Sequence, residues 1–316
     1  MSGVSVIFGT GLLPDDVGAR VSVRHRRSDG VADVLGDLDF LDADGLAIRR
    51  SDGSLVAIEA AAVVAARVVG PSPRSARELE AVAGRSWPAA EEVWLGQWWL
   101  RAAGGFTLRA NSVRVVGDPG VPLDDALGFV TEWYGQRSLP VRVRTVVGSS
   151  IDRELDRRGW GTEWETSMRT ATIASMRRRL IGVPASAVQL TTHPPAAWLR
   201  RYRDGALTPI AISVLSGGPS TGFATVEGAP GDPAIAIGRV SVEPPWAGIA
   251  AIEVSPDARR QGHGHAVLAA LVARAAERGA IRCWLEVLVD NAPALAMYDV
   301  LGFTEHYRYR YWTPLT

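Results

Sequence analysis

The sequence predicts an α/β (α+β) chain with a mixed sheet, headed by a small all-β module, and three observations carry that expectation. From Ile249 to Phe303, apolar runs and one-sided apolar stripes alternate as strand, helix, strand and helix. From Leu12 to Val69, short alternating runs are separated by tight turns, with no helical period. Between Ala76 and Thr172 the order of the C-terminal stretch returns at an offset of 142 to 143 residues, Gly120 matching Gly262 and Gly159-Trp160 matching Gly302-Phe303. With 316 residues, more than one core usually serves, the expected division is a β module over 1–70, a first lobe over 76–180 and a second lobe over 183–316.

In the N-terminal module, Arg20 to Arg26 alternates as a strand, Asp42-Ala43-Asp44-Gly45 and Ser51-Asp52-Gly53-Ser54 read as turns, and Leu46-Ala47-Ile48 and Leu55 to Ile58 read as further strands. With Gly18-Ala19-Arg20-Val21-Ser22-Val23, this stretch resembles an SH3-like β-barrel. Its only aromatics are Phe8 and Phe40, too few for a peptide groove, so a structural appendage is the simpler reading. Gly70-Pro71-Ser72-Pro73-Arg74-Ser75 reads as the linker.

The first lobe holds many of the tryptophans, and Trp94-Leu95-Gly96-Gln97-Trp98-Trp99-Leu100 fits a core strand better than a ligand platform. A helix is expected over Leu123 to Gln136, a strand over Val141 to Val146 and a short helix over Ile151 to Arg158. Thr107 to Ser112 places polar groups at a strand edge, in position to face a cleft between lobes.

In the second lobe, Pro195 to Tyr202 starts a helix. The apolar stretch Ile210 to Leu215 follows, then strands from Thr221 and Ala234 that lead in an antiparallel meander to the strand at Ile249. Arg259-Arg260-Gln261-Gly262-His263-Gly264-His265 opens the helix whose apolar stripe is Val267, Leu268, Leu271, Val272 and Ala275. Helix N-termini leave amides unpaired where the dipole favours anions, and glycines let a phosphate approach. The loop lacks both the GxxxxGK[ST] and the GxGxxG patterns. Ile281 to Val289 is the next strand, Asp290 to Pro293 starts a short helix, and Tyr307 to Trp312 alternates tyrosine and arginine as a last strand.

The strand, the Arg-x-x-Gly-x-Gly loop, Trp284-Leu285-Glu286-Val287, Asn291 and Ala294 to Phe303 together resemble the acetyl-CoA-binding core of the GNAT N-acetyltransferases, with a local likeness to the ribosomal-protein-alanine N-acetyltransferases. The resemblance implies a mixed-sheet GNAT fold and acetyl-CoA as cosubstrate. It assigns Glu286 as general base and Tyr298 as general acid. It also implies cofactor contacts at Ile252, Glu253 and Val254, along Arg259 to His265, and at Asn291. Those types suit the chemistry, since amine attack on a thioester needs a proton acceptor and the leaving thiolate a donor. Glu253 and Glu243 remain rival bases. The first lobe then reads as a degenerate copy: Asp118 and the N–H-less Pro119 replace the arginine loop, Arg144 stands in the Glu286 position and Leu155 in that of Tyr298.

The 34 basic and 34 acidic residues cancel, which argues against nucleic acid or an anionic membrane as partner. The single Cys283 lies in an apolar strand and offers no disulfide and no metal site. No leader and no long apolar span is evident, so a cytoplasmic protein is expected. Expected partners are an amine acceptor, small molecule or protein/peptide, with no metal. A noncatalytic acetyl-CoA-binding regulatory protein is the alternative.

Overall fold

The computed structural model describes residues 11–50, 52–69 and 73–315. Residues 70–72 of the expected linker, and Phe8, lie outside them. Strands β1 (Arg20–Arg27), β2 (Gly30–Leu41), β3 (Gly45–Arg49), β4 (Leu55–Glu59) and β5 (Val63–Val68) form an antiparallel sheet in the order β4-β3-β2-β1-β5. The Asp42 carboxylate accepts from the amides of Asp44 and Gly45 at 2.8 and 3.0 Å, which fixes the β2–β3 turn. Val21, Val23, Val34, Leu38, Leu46, Ile48 and Ile58 alternate inward as the module's core. Asp37 pairs with Arg282 of the larger unit at 2.6 Å, tying the module to it.

The rest of the chain builds one sheet of eleven strands. Its first half contributes α1 (Pro73–Ser86), β6 (Glu91–Leu95), β7 (Trp98–Ala102), β8 (Val113–Val115), α2 (Leu123–Gly135), β9 (Val143–Val146), α3 (Ser150–Arg157) and β10 (Gly161–Thr172). Its second half contributes α4 (Ile173–Arg179), β11 (Val188–Thr191), α5 (Ala196–Arg201), α6 (Pro209–Ser216), β12 (Thr221–Val226), β13 (Ala236–Glu243), β14 (Trp246–Val254), α7 (His263–Glu277), β15 (Arg282–Leu288), α8 (Ala292–Val300) and β16 (Thr304–Thr313). The strand order is β11-β12-β13-β14-β15-β10-β16-β9-β8-β7-β6. In each half a parallel pair, β8 with β9 and β14 with β15, interrupts otherwise antiparallel pairing. The last strand of each half is exchanged: β10 lies against β15 of the second half, and β16 against β9 of the first. The two halves therefore share one hydrogen-bonded sheet, related by a pseudo-twofold between β10 and β16. Among the described residues no helix is long and apolar enough to cross a membrane.

The two faces of β15 serve different layers, as period-2 alternation requires. Cys283, Leu285 and Val287 pack with α7, Tyr298 and Phe303. Trp284 packs on the other face with Ala76, Leu79 and Ala83 of α1 and with Met168, Tyr307, Tyr309 and Tyr311. Helix α1 thus lies over the middle of the sheet, beside the pseudo-twofold. Its Glu80, 2% exposed, accepts from Arg144 at 2.6 Å, Arg114 at 2.5 Å and the Tyr307 hydroxyl at 2.6 Å. At the C-terminus of α1, Arg101 donates to the Gly84 and Trp87 carbonyls and Arg239 to that of Ser86, so one arginine from each half satisfies the helix end.

Removing one member of a buried ion network leaves the others uncompensated, at a cost of about 3–5 kcal/mol. Glu80→Gln, which keeps the side-chain shape, is expected to lower unfolding stability by that order in urea titration; a loss under about 1 kcal/mol would show that Arg114 and Arg144 find other partners.

Candidate active site

Strands β14 and β15 are paired only at Trp246↔Arg282, Ala247↔Cys283 and Gly248↔Trp284. Gly248 permits that approach, because a Cβ there would overlap the Trp284 ring. Beyond it the strands part, and Ile249 to Val254 keep pairing with β13 alone. A register shift between Ile237 and Arg239, opposite Ala250 to Glu253, accompanies the left-handed Ala251 at φ 54°. Ile252, Glu253 and Val254 accordingly sit on the splayed part of β14, with one strand edge open to the gap.

The chain leaves β14 through a 3-10 turn, Pro256–Ala258, and enters α7 at Gly262, which caps the helix in the left-handed region at φ 85°. Arg260 also has positive φ, 63°, and the Gln261 side chain donates to the Asp257 carbonyl at 3.1 Å. The helix's first hydrogen bond is from the Ala266 amide to the Gly262 carbonyl, so the amides before it, from His263 to His265, form the open N-terminus. A Cβ on Gly262 would meet nothing within 4 Å, and one on Gly264 only Val254 at 3.7 Å. The free space in front of the helix end is the kind a pyrophosphate needs. Arg259 and Arg260 are exposed beside it.

The matching place in the first half is closed. The Gln97 amide donates to the Asp118 carbonyl at 2.7 Å, and the Gln97 side chain accepts from the Asp118 amide at 3.0 Å. The β6–β7 turn thereby covers the loop. Helix α2 behind it carries Asp124 and Asp125 in its first turn, which repel an anion at that end.

Asn291 is the N-cap of α8, its side-chain oxygen accepting from the Ala294 amide at 3.2 Å. Tyr298, on α8, is 8% exposed and meets Phe303 edge-on at 5.6 Å. Burial pushes its hydroxyl up to about 12, which keeps it protonated at neutral pH.

Glu286 differs from the accessible base that the family resemblance implies. Its side chain is 4% exposed, and both oxygens are taken: Arg144 donates to Oε1 and Arg109 to Oε2, each at 2.8 Å. Burial alone would raise its pKa, but Arg144 and Arg109 outweigh that and hold it at about 2. Arg144 is the residue at the Glu286 position in the first half, so the two equivalents bond each other across the pseudo-twofold. The offset of 142 pairs these positions in the sequence, where nothing local to either signals their contact. Arg109 comes from the Thr107 to Ser112 stretch, which does reach the second half. Of the rival carboxylates, Glu243 is bound to Arg85 at 2.7 Å and stands opposite Trp246, at the closed end of the β14–β15 gap, whereas Glu253 stands on the splayed part. Among the described residues, no group of His, Cys, Asp and Glu is placed to hold a metal.

Comparison with known proteins fits this geometry. Residues 74–312 match the family described as "Probable histone acetyltransferase Rv0428c C-terminal", and residues 15–67 match "Rv0428c N-terminal Sm-like domain". The N-terminal sheet therefore goes with the Sm-like domains, where the sequence had suggested an SH3-like barrel. The chain is 30% identical over 313 residues to the probable histone acetyltransferase Rv0428c of Mycobacterium tuberculosis, covering 93% of this chain and 94% of that one. It is 45% identical over 65 residues to the ribosomal protein bS18-alanine N-acetyltransferase of Escherichia coli, covering 21% of this chain and 44% of that one. Among solved structures, it resembles a GCN5-related N-acetyltransferase from Kribbella flavida, with TM-score 0.56, 15% identity and coverage of 76% of this chain and 96% of that one. A tandem GNAT protein from the clavulanic acid biosynthesis pathway gives TM-score 0.51 at 15% identity, with coverage of 78% and 90%. These structural likenesses establish a GNAT fold in tandem form.

A folded-state pKa below the unfolded value adds stability above the unfolded value and loses it as pH falls through the folded one. For Glu286 that window runs from the ordinary 4.5 down to about 2. Glu286→Gln should be less stable than the parent at pH 7, and the difference should shrink as pH falls through the window. Calorimetric melting of the two proteins from pH 7 to pH 2 checks it; a constant difference would mean that Glu286 is not ionised in the fold.

Proposed function

The chain belongs to the GNAT-type acetyltransferase family described by Rv0428c, and we propose that it moves the acetyl group of acetyl-CoA to an amine acceptor by direct attack. The observation that carries this reading is the gap between β14 and β15, which opens toward the unpaired N-terminus of α7 at Gly262. An extended pantetheine arm can run beside Ile252 to Val254 on the splayed part of β14, while the amides of His263 to His265 face the pyrophosphate. Gln261 and Gly262 shape the turn, and Arg259 and Arg260 add positive charge at its rim. The Asn291 side chain, its oxygen engaged as a cap, retains its amide hydrogens for the cofactor.

In this reading Tyr298 donates a proton to the departing thiolate. Burial keeps its hydroxyl protonated at neutral pH, and α8, which carries it, packs on the β15 face that bears Cys283, Leu285 and Val287. The amine must lose a proton, and a carboxylate held near 2 takes one with little driving force. We therefore assign Glu286 to holding Arg109 and Arg144, and proton acceptance to Glu253, with water between it and the amine. Residues 76–180 act as the non-binding half, residues 183–316 as the acetyl-CoA-binding half, and residues 1–70 as an appended module.

Release of coenzyme A thiol with a panel of amines tests the activity; acetyl-CoA binding without acetylation of any amine would make the chain a binding protein. Tyr298→Phe should lower turnover roughly 10²-fold or more with little change in acetyl-CoA affinity; full turnover in that variant would make the tyrosine a packing residue. Gly264→Val should weaken acetyl-CoA binding in calorimetry while the protein stays folded, and the parent should bind one acetyl-CoA per chain. Two per chain would mean that the first half has its own site.

A further inference from the structure

Five arginines gather between the two halves: Arg101, Arg114, Arg144 and Arg239 are each 1% exposed or less, and Arg109 is 21% exposed. The carboxylates buried among them and bonded to them are Glu80 and Glu286. Arg239 also donates to the Leu215 and Gly217 carbonyls at 2.7 and 2.6 Å, so it serves the C-termini of both α1 and α6. Arg101 serves that of α1 and lies 3.6 Å from Glu92. Helix C-termini carry partial negative charge and compensate these two cations. Arg109, Arg114 and Arg144 then face Glu80 and Glu286, which leaves one positive charge over in a poorly solvated place. An excess charge of that kind is costly unless something neutralises it.

Arg109 is where solvent reaches this cluster. It sits on a 3-10 turn, Leu108–Ala110, held by buried Asn111, whose side chain accepts from the Ala103 and Gly105 amides and donates to the Phe106 and Thr107 carbonyls, all at 2.8–2.9 Å. Its guanidinium lies 4.1 Å over the Trp87 ring, which stacks on Phe106, which in turn meets Tyr202. These rings pack with Ala250 and Ala251, on the part of β14 that has left β15. Arg109 is therefore pre-positioned beside the opened strands on the face of β15 that carries Glu286. Nη1 engages Glu286, and a guanidinium has further donors on its other edge.

Resting on the acetyltransferase reading above, we propose that the acceptor is an amine that also carries a carboxylate, and that Arg109, from the first half, binds this carboxylate. The acceptor then supplies the missing negative charge, and Glu286 serves to hold Arg109 in its orientation. The first half, which has no open phosphate loop of its own, contributes the acceptor-binding residue to the second half's chemistry.

The test compares α-amino acids and short dipeptides with their C-terminal amides, followed by coenzyme A thiol release in the full chain. The acids are expected to show KM values about 10-fold or more below those of the amides, the usual worth of a charge-assisted hydrogen bond. Arg109→Gln should remove that preference by raising KM for the acids, Arg109→Lys should restore part of it, and both variants should still bind acetyl-CoA in calorimetry. Equal KM values for acids and amides in the parent, acetylation confined to amides, or a preference that survives in Arg109→Gln would overturn the proposal. Acetyl-CoA binding with no acid acetylated would overturn it too and leave the cofactor site standing. A parent chain that binds no acetyl-CoA would instead sink the reading on which it rests.

Discussion

Arg144 bridges Glu80 and Glu286, and much of the molecule is arranged so that this guanidinium can be buried. It donates 2.6 Å to one carboxylate and 2.8 Å to the other while lying 3.3 Å over the Tyr309 ring. A lone arginine at that depth would not be tolerated. Glu80 must therefore arrive on α1, Glu286 on β15 and Tyr309 on β16, which draws the connecting helix and both halves of the sheet onto one point. The exchange of β10 and β16 joins both halves in one sheet, and Arg144 on β9 and Glu286 on β15 meet over the two strands between them. The exchange and the ion network are two aspects of one constraint.

The two halves share topology but differ where a cofactor would bind. Each has a parallel strand pair, β8 with β9 and β14 with β15. In the second half the β14–β15 gap meets a helix N-terminus capped by left-handed Gly262, with space before it. In the first, Gln97 bonds the Asp118 loop shut and Asp124 and Asp125 occupy the first turn of the helix. The first half has become support: it supplies Arg144 and Arg109 to Glu286 and, through Arg101, one of the donors that finish α1. Pairing a closed half with an open one leaves the β14–β15 gap open beside the start of α7 while keeping a sheet large enough to bury the charges.

Local sequence signals proved reliable where local physics decides. The apolar stripe from Val267 to Ala275 gave α7, the Arg-x-x-Gly-x-Gly loop fell at its start, and the offset of 142 marked the second copy of the fold. Three features go unread in the sequence, the last two because they depend on long-range contact. The apolar stretch Ile210 to Leu215, set among strands, is the helix α6, begun by Pro209 and capped by the Thr208 side chain on the Ala211 amide. The strand exchange leaves no trace in periodicity, since β10 and β16 read as strands whichever neighbour they choose. The partners of Glu286 lie 142 and 177 residues away in sequence, and only the match of Arg144 to its position hinted at one of them. Asn291, a cofactor contact implied by the family resemblance, is also an N-cap signal as a short polar side chain before Ala292-Pro293.

The central claim is that Glu286 stays ionised because the other half's arginines hold it there. Carbon-13 NMR of side-chain-labelled glutamate, with the Glu286 resonance assigned by its loss in Glu286→Gln, measures that ionisation directly. The account predicts a resonance that stays at its ionised position from neutral pH down to about pH 3 and moves only toward pH 2. A titration centred between pH 5 and 7 would contradict it, and would return Glu286 to the role of proton acceptor.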